Sequence, residues 1–132
     1  MSHVSLVTKC FILNINGELL ILKRSNKAII RPGDWDLPGG MVEDKENPNE
    51  AITREILEET GITSRSSKLV FVSTEQSPAY ILTFFYVTHV ENDIVKISTE
   101  HTDYQWISVN EFLKLNLPKK FTEAVAFLEQ KF

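Results

Sequence analysis

Gly40-Met41-Val42-Glu43-Asp44-Lys45-Glu46-Asn47-Pro48-Asn49-Glu50-Ala51-Ile52-Thr53-Arg54-Glu55-Ile56-Leu57-Glu58-Glu59-Thr60-Gly61-Ile62 is the stretch from which the rest of the chain is read. Asn47 is placed to cap a helix, Pro48 suits the first helical position, and Glu50 can reach back as in a capping box. Gly61 supplies the stop. Between them Ala51, Ile52, Ile56 and Leu57 form an apolar stripe. Glu55, Glu58 and Glu59 stand at i, i+3 and i+4, so their side chains project from one face. Like charges at this spacing cost roughly a few tenths of a kcal/mol per pair even when exposed. A solvated acidic face is the ordinary reading of a Glu-rich helix. The preceding Leu37-Pro38-Gly39-Gly40-Met41-Val42-Glu43 argues otherwise, because two glycines let backbone approach a ligand. An oxygen-only donor set, without His or Cys, points to Mg²⁺, with Mn²⁺ as the substitute, rather than zinc.

Outward from this segment, Val4 to Ile15 and Leu19 to Leu22 read as strands joined by a tight Asn16-Gly17 turn. Ser25 to Asp34 reads as a loop, Trp35 to Leu37 as a short extended piece, and Pro38-Gly39-Gly40 as a sharp turn. Lys68 to Ser73, Tyr80 to Val90 and Tyr104 to Ile107 have strand composition, with turns at Gln76 to Pro78 and Glu91 to Asp93. Val109 to Leu113 and Thr122 to Lys131 read as helices. This order predicts an α/β fold with a mixed sheet carrying helices on both faces.

A length of 132 residues fits one domain, residues 1–132, with a single core. The formal charge of −4 offers no chain-wide attraction to a nucleic acid polymer or an anionic membrane, so an anionic substrate must be met locally. No segment approaches the roughly 20 apolar residues of a membrane span, and the N-terminus lacks the pattern of a secretion signal. Cys10, the one cysteine, sits in an apolar run as an inert thiol, and the cytoplasm is the expected compartment.

Gly40, five residues, Glu46, seven residues, and then Arg54-Glu55-Ile56-Leu57-Glu58-Glu59-Thr60-Gly61-Ile62 resembles the complete Nudix box. The resemblance implies an α/β/α sandwich and the hydrolysis of a diphosphate linkage in a nucleoside diphosphate derivative. It also implies that Glu55, Glu58 and Glu59 bind Mg²⁺ with the backbone carbonyl of Gly39. Arg54 would orient a catalytic glutamate, alongside an i,i+4 pair with Glu58. The general base stays open between a helix glutamate, Glu55 or Glu58, and a carboxylate from a later loop. Glu100, six residues before Trp106, is the candidate for that later group and a further metal ligand, ahead of His101 and Asp103. Glu46 would brace the loop and helix start. Arg24 would meet a substrate phosphate and Gly40 would lie against the substrate. Trp35, Tyr80, Phe84 and Trp106 are strand aromatics that belong either to the core or to a nucleobase.

Substrate markers conflict. Pro78, sixteen residues beyond Ile62, resembles ADP-ribose hydrolases, and Tyr80, eighteen beyond, resembles dinucleoside polyphosphate hydrolases. The short chain resembles the compact nucleoside triphosphate pyrophosphohydrolases instead. Two rival classes are an isoprenoid diphosphate isomerase, disfavoured by the strand position of Cys10, and a nucleotide-sensing module without catalysis. Either way the expected partner is a nucleotide-type small molecule, with a homodimer as the assembly left open.

Overall fold

The computed structural model describes residues 3–76 and 79–128. In chain order its elements are β1 (Val4–Leu13), β2 (Leu19–Arg24), β3 (Trp35–Asp36), β4 (Gly39–Met41), α1 (Pro48–Thr60), β5 (Lys68–Glu75), β6 (Tyr80–His89), β7 (His101–Ile107), α2 (Val109–Leu113) and α3 (Lys119–Val125). Every residue of β1 from Thr8 to Leu13 is buried, which requires cover on both faces and hence a central position. β1 runs parallel to β6 and antiparallel to β4 and the start of β2. β5 extends the sheet antiparallel beyond β6, while β3 and β7 both pair antiparallel with β2.

Alternation along β1 divides the core in two. Cys10 and Ile12 join Leu20, Leu22 and Tyr86 beneath Ile52 and Ile56 of α1. On the opposite face Phe11 and Leu13 join Ile21, Phe85 and Ile107 against Phe112 of α2 and Phe121, Ala124 and Val125 of α3. The result is a mixed sheet between helical layers, as expected. Among the described residues no helix is long and apolar enough to cross a membrane.

α1 is built as its sequence predicts. The Asn47 side chain accepts from the Glu50 amide at 2.9 Å, and the Glu50 carboxylate accepts from the Asn47 amide at 3.0 Å. Gly61 adopts φ 74° and its amide donates to the Leu57 carbonyl at 3.0 Å. One stripe residue differs: Leu57 is exposed, and Glu59 lies on the buried face instead. The helical period explains this, since Ile52, Ile56 and Glu59 stand at i, i+4 and i+7.

Four boundaries also depart from the expectation. Leu13 pairs with Leu19, so a five-residue loop replaces the two-residue turn. The Asn14 side chain organises that loop by accepting from the amides of Asn16 and Glu18 at 3.0 and 2.9 Å. Gly39 and Gly40 form part of β4, not a sharp turn, because their backbone pairs with Lys9 and Thr8. β7 begins at His101 rather than at Tyr104. α3 begins at Lys119, since Pro118 precedes a turn that must bury Phe121; the end of the expected Thr122 to Lys131 helix lies outside the described residues.

Candidate active site

Gly39 reaches φ 147°, and a Cβ there would fall 2.0 Å from the Thr8 carbonyl oxygen. Only glycine lets β4 lie this close to β1. The gain is a backbone amide aimed at α1: Gly39 N donates to Glu59 Oε1 at 2.8 Å. At Gly40 a Cβ would meet the Glu55 carboxylate at 2.6 Å, so any side chain would displace that carboxylate.

Glu59 is 5% exposed, and burial pushes its carboxyl up to about 8. The Gly39 hydrogen bond and the Lys9 charge oppose that rise, while Glu55 and Glu100 add to it. Glu55 is also raised, first by burial, against the hydrogen bond and charge of Arg54. Arg54 gathers the acidic loop and helix around one guanidinium. Nε and Nη2 bind both oxygens of Glu46 at 2.8 and 3.0 Å, and Nη1 donates to Glu55 at 3.0 Å and Glu58 at 2.7 Å. Arg54 and the Glu43 amide hold the Glu46 carboxyl down at about 2.

Gly39, Gly40, Arg54, Glu55, Glu58, Glu59, Glu100 and Arg24 all line one cleft of about 970 Å³. Glu100 comes from the turn before β7, where its carbonyl accepts from the Ser25 amide at 3.0 Å and so ties that turn to the end of β2. His101 is buried outside this cleft, its Nδ1 without a hydrogen-bond partner among the described residues and its imidazole held below the usual range by burial. Asp103 is exposed on β7, also outside it.

The same cleft holds a group that the sequence reading missed. Asp36 is 1% exposed, and its Oδ2 lies 2.9 Å from Lys9 Nζ, 3.1 Å from Arg24 Nη1 and 3.3 Å from Arg31 Nη2. Burial alone would raise this carboxyl, but the charges of Lys9 and Arg31, the Lys9 hydrogen bond and the Arg24 charge together hold it low. A lysine inside a largely apolar strand is the available signal, since a buried ammonium demands a buried anion.

Strand aromatics do not supply a stacking wall. Phe84 and Trp106 pack on the α1 side of the sheet, Trp35 packs on the other core, and none of these three or Tyr80 lines the cleft. Pro78 lies outside the described residues.

Donor chemistry fits a hard divalent cation: every candidate ligand is oxygen, and Glu55 and Glu59 are raised first by burial, with the charge of the neighbouring carboxylates adding to it. Among the described residues no three acidic, His or Cys side chains are gathered into a ready-made metal cage. The competing contacts account for that, because Arg54 holds Glu55 and Glu58 while Gly39 holds Glu59.

The NUDIX domain profile matches residues 5–128. The ADP-ribose pyrophosphatase of Methanocaldococcus jannaschii is 30% identical over 82% of this chain and 62% of its own length. Nucleoside triphosphatase NudI of Escherichia coli is 26% identical, over 82% of this chain and 85% of its own. The crystal structure of a MutT protein from Methanosarcina mazei superposes with a TM-score of 0.86 at 32% identity, covering 99% of this chain and 98% of that one. The chain thus spans about three fifths of the length of the archaeal pyrophosphatase.

Proposed function

The chain belongs to the NUDIX family, and on that premise we propose that it is a divalent-metal-dependent hydrolase of a diphosphate linkage in a nucleotide derivative. The observation that carries this reading is the meeting, in one cleft, of a carboxylate wall from α1 and Glu100 with a cationic wall around Asp36. A Mg²⁺-bound diphosphate complements both.

Glu55, Glu58, Glu59 and Glu100, with the Gly39 carbonyl, would hold the Mg²⁺. Such an ion supplies charge neutralisation at phosphoryl oxygens and acidifies a bound water. Arg54 acts as the positioning residue, because its hydrogen bonds to Glu55 and Glu58 hold two of those carboxylates at set places on the helix. Arg24 and Gly40 face the substrate. The proton of the attacking water goes to a carboxylate, with Glu58, whose side chain is 55% exposed, and Glu100 as the solvent-facing acceptors.

Nucleoside triphosphates are the first substrate class, supported by the name of the relative nucleoside triphosphatase NudI. ADP-ribose is the second, supported by the name of the 30% identical relative. We assign the enzyme to the cytoplasm, with a free nucleotide as its partner, and leave its assembly to light scattering. The deciding experiment incubates the chain and Mg²⁺ with canonical and oxidised triphosphates, ADP-ribose, dinucleoside polyphosphates and nucleotide sugars, and identifies the phosphorus products. A nucleoside monophosphate plus pyrophosphate marks the first class, and AMP plus ribose phosphate the second. Nucleotide binding without turnover, or turnover unchanged in both Glu58→Gln and Glu59→Gln, would sink the hydrolytic reading.

A further inference from the structure

Three cations converge on one carboxylate in a chain whose overall charge is −4. An ion pair between Lys9 and Asp36 would already satisfy both buried groups, since Lys9 also donates to the Leu37 carbonyl at 3.3 Å. Arg24 and Arg31 are therefore surplus to the neutralisation of Asp36. Both stay partly open to the cleft, with side chains 26% and 28% exposed.

Neither guanidinium is loose. Arg24 Nε donates to the Ile30 carbonyl at 2.8 Å while Nη1 holds Asp36. Arg31 Nη1 reaches the Trp35 carbonyl at 3.4 Å, and its Cζ lies 5.8 Å from the centre of the Phe121 ring. Each side chain is thus anchored to backbone and to one shared carboxylate, and each guanidinium retains N–H donors that these bonds do not use.

The backbone at Arg31 points the same way. Arg31 adopts φ 48°, in the left-handed region, directly before Pro32, where the proline ring steers its predecessor toward extended backbone. Strain of this kind persists where surrounding contacts over-determine it, and here those contacts are the ones that bring the guanidinium to Asp36.

We propose that Arg31 supplies a second guanidinium to the subsite for the substrate phosphoryl group that the family resemblance assigns to Arg24, with buried Asp36 as the positioning residue that holds the pair. The ligand class is a phosphate or diphosphate oxyanion, for which paired guanidinium forks are geometrically suited. This deepens the hydrolytic reading and rests on it for the identity of the substrate, while binding of the anion itself does not need turnover.

The test measures KM and kcat for the best substrate of the panel, and Kd for inorganic pyrophosphate with Mg²⁺ by calorimetry, in the wild-type chain, Arg31→Gln, Arg31→Lys and Asp36→Asn. Arg31→Gln should raise KM and pyrophosphate Kd by about tenfold or more, the loss of a charge-assisted hydrogen bond, with kcat within about threefold. Arg31→Lys should recover part of that loss, because it keeps the charge but not the fork. Asp36→Asn, in whatever fraction folds at low temperature, should shift KM in the same direction as Arg31→Gln. KM and Kd within twofold of wild type in Arg31→Gln would overturn the subsite, and a KM unchanged in folded Asp36→Asn would overturn the positioning role. If the wild type turns over nothing, the hydrolytic reading falls, and the pyrophosphate Kd of wild type against Arg31→Gln still decides the subsite.

Discussion

The two walls of the cleft carry opposite charge by mirror-image constructions. On the α1 side one guanidinium, Arg54, lies within 3.5 Å of four carboxylates, those of Glu43, Glu46, Glu55 and Glu58. On the β2 side one carboxylate, Asp36, lies within 3.3 Å of three cations. Their burial differs as well: Glu58 is open to solvent, whereas Asp36 is sealed at 1% exposure. The acidic wall sets several carboxylates around one guanidinium, while the basic wall is neutralised at its base and presents its surplus outward. On the hydrolytic reading proposed above, a metal–diphosphate complex would complement both.

Breaking the acidic wall should have the largest effect. Stripping divalent metal with EDTA should lower turnover by about 10³-fold or more, and added Mg²⁺ should restore it, since metal ions supply several kcal/mol of charge stabilisation. Activity that survives chelation would mean that the carboxylates serve another purpose. Breaking the basic wall should cost stability first. Asp36→Asn leaves three cations without their anion, and denaturant unfolding should register a loss of about 3 kcal/mol. A loss below about 1 kcal/mol would show the cluster to be solvent-screened.

Acid–base behaviour sharpens the contrast, because the two walls have opposite slopes. The Asp36 carboxyl is held below its ordinary 3.8, so its stabilisation is present above that pH and is lost as pH falls through its folded value. Glu59 is raised from 4.5 to about 8, so the native state retains a proton there and loses stability as pH climbs between those values. With EDTA present, Glu59→Gln should therefore gain on the wild type by about 4 kcal/mol in going from pH 5 to pH 9, and Asp36→Asn should flatten the acid limb. Parallel pH curves for wild type and Glu59→Gln would contradict the buried carboxylate. The smallest effect belongs to a residue of neither wall: Asn47→Ala should cost about 1 kcal/mol of stability and leave KM unaltered. A raised KM would mean that fraying of the first turn reaches the cleft.

The acidic wall was open to reading because its parts lie on one helix, where a period of 3.6 converts spacing into facing. Even so, the burial of Glu59 follows from its spacing from Ile52 and Ile56, which grouping it by charge with Glu55 and Glu58 on one face does not reveal. The basic wall was closed to such reading. Lys9, Arg24, Arg31 and Asp36 come from β1, β2, a loop and β3, and only strand pairing brings Lys9 and Asp36, 27 positions apart, into contact. The resemblance assigns Arg24 to a phosphate but says nothing of its anchor at Asp36, and Arg31 lies in a loop without period. Glycines were half legible: their closeness to something was readable, but that they form a strand against Thr8 and Lys9 depended on a long-range partner. The hairpin failed differently, because Asn14 offered its side chain to the loop and made the Asn-Gly pair subordinate.

The parallel alignment of β1 with β6 reaches beyond the resting molecule. Val4 meets Tyr80 and Leu13 meets His89, so the first strand of the chain waits for a neighbour 76 positions downstream. Loop closure on that scale is slow compared with helix formation, and a ribosome adding roughly 5–20 residues each second leaves β1 without its parallel partner for several seconds. During that interval the glutamate helix has its own caps and can form early, but β1, which seats β4 and Lys9, lacks its longest pairing. The chemistry of the cleft is therefore a late event in the life of the nascent chain, and a fragment ending before β6 would carry the whole signature segment without the sheet that gives it a site.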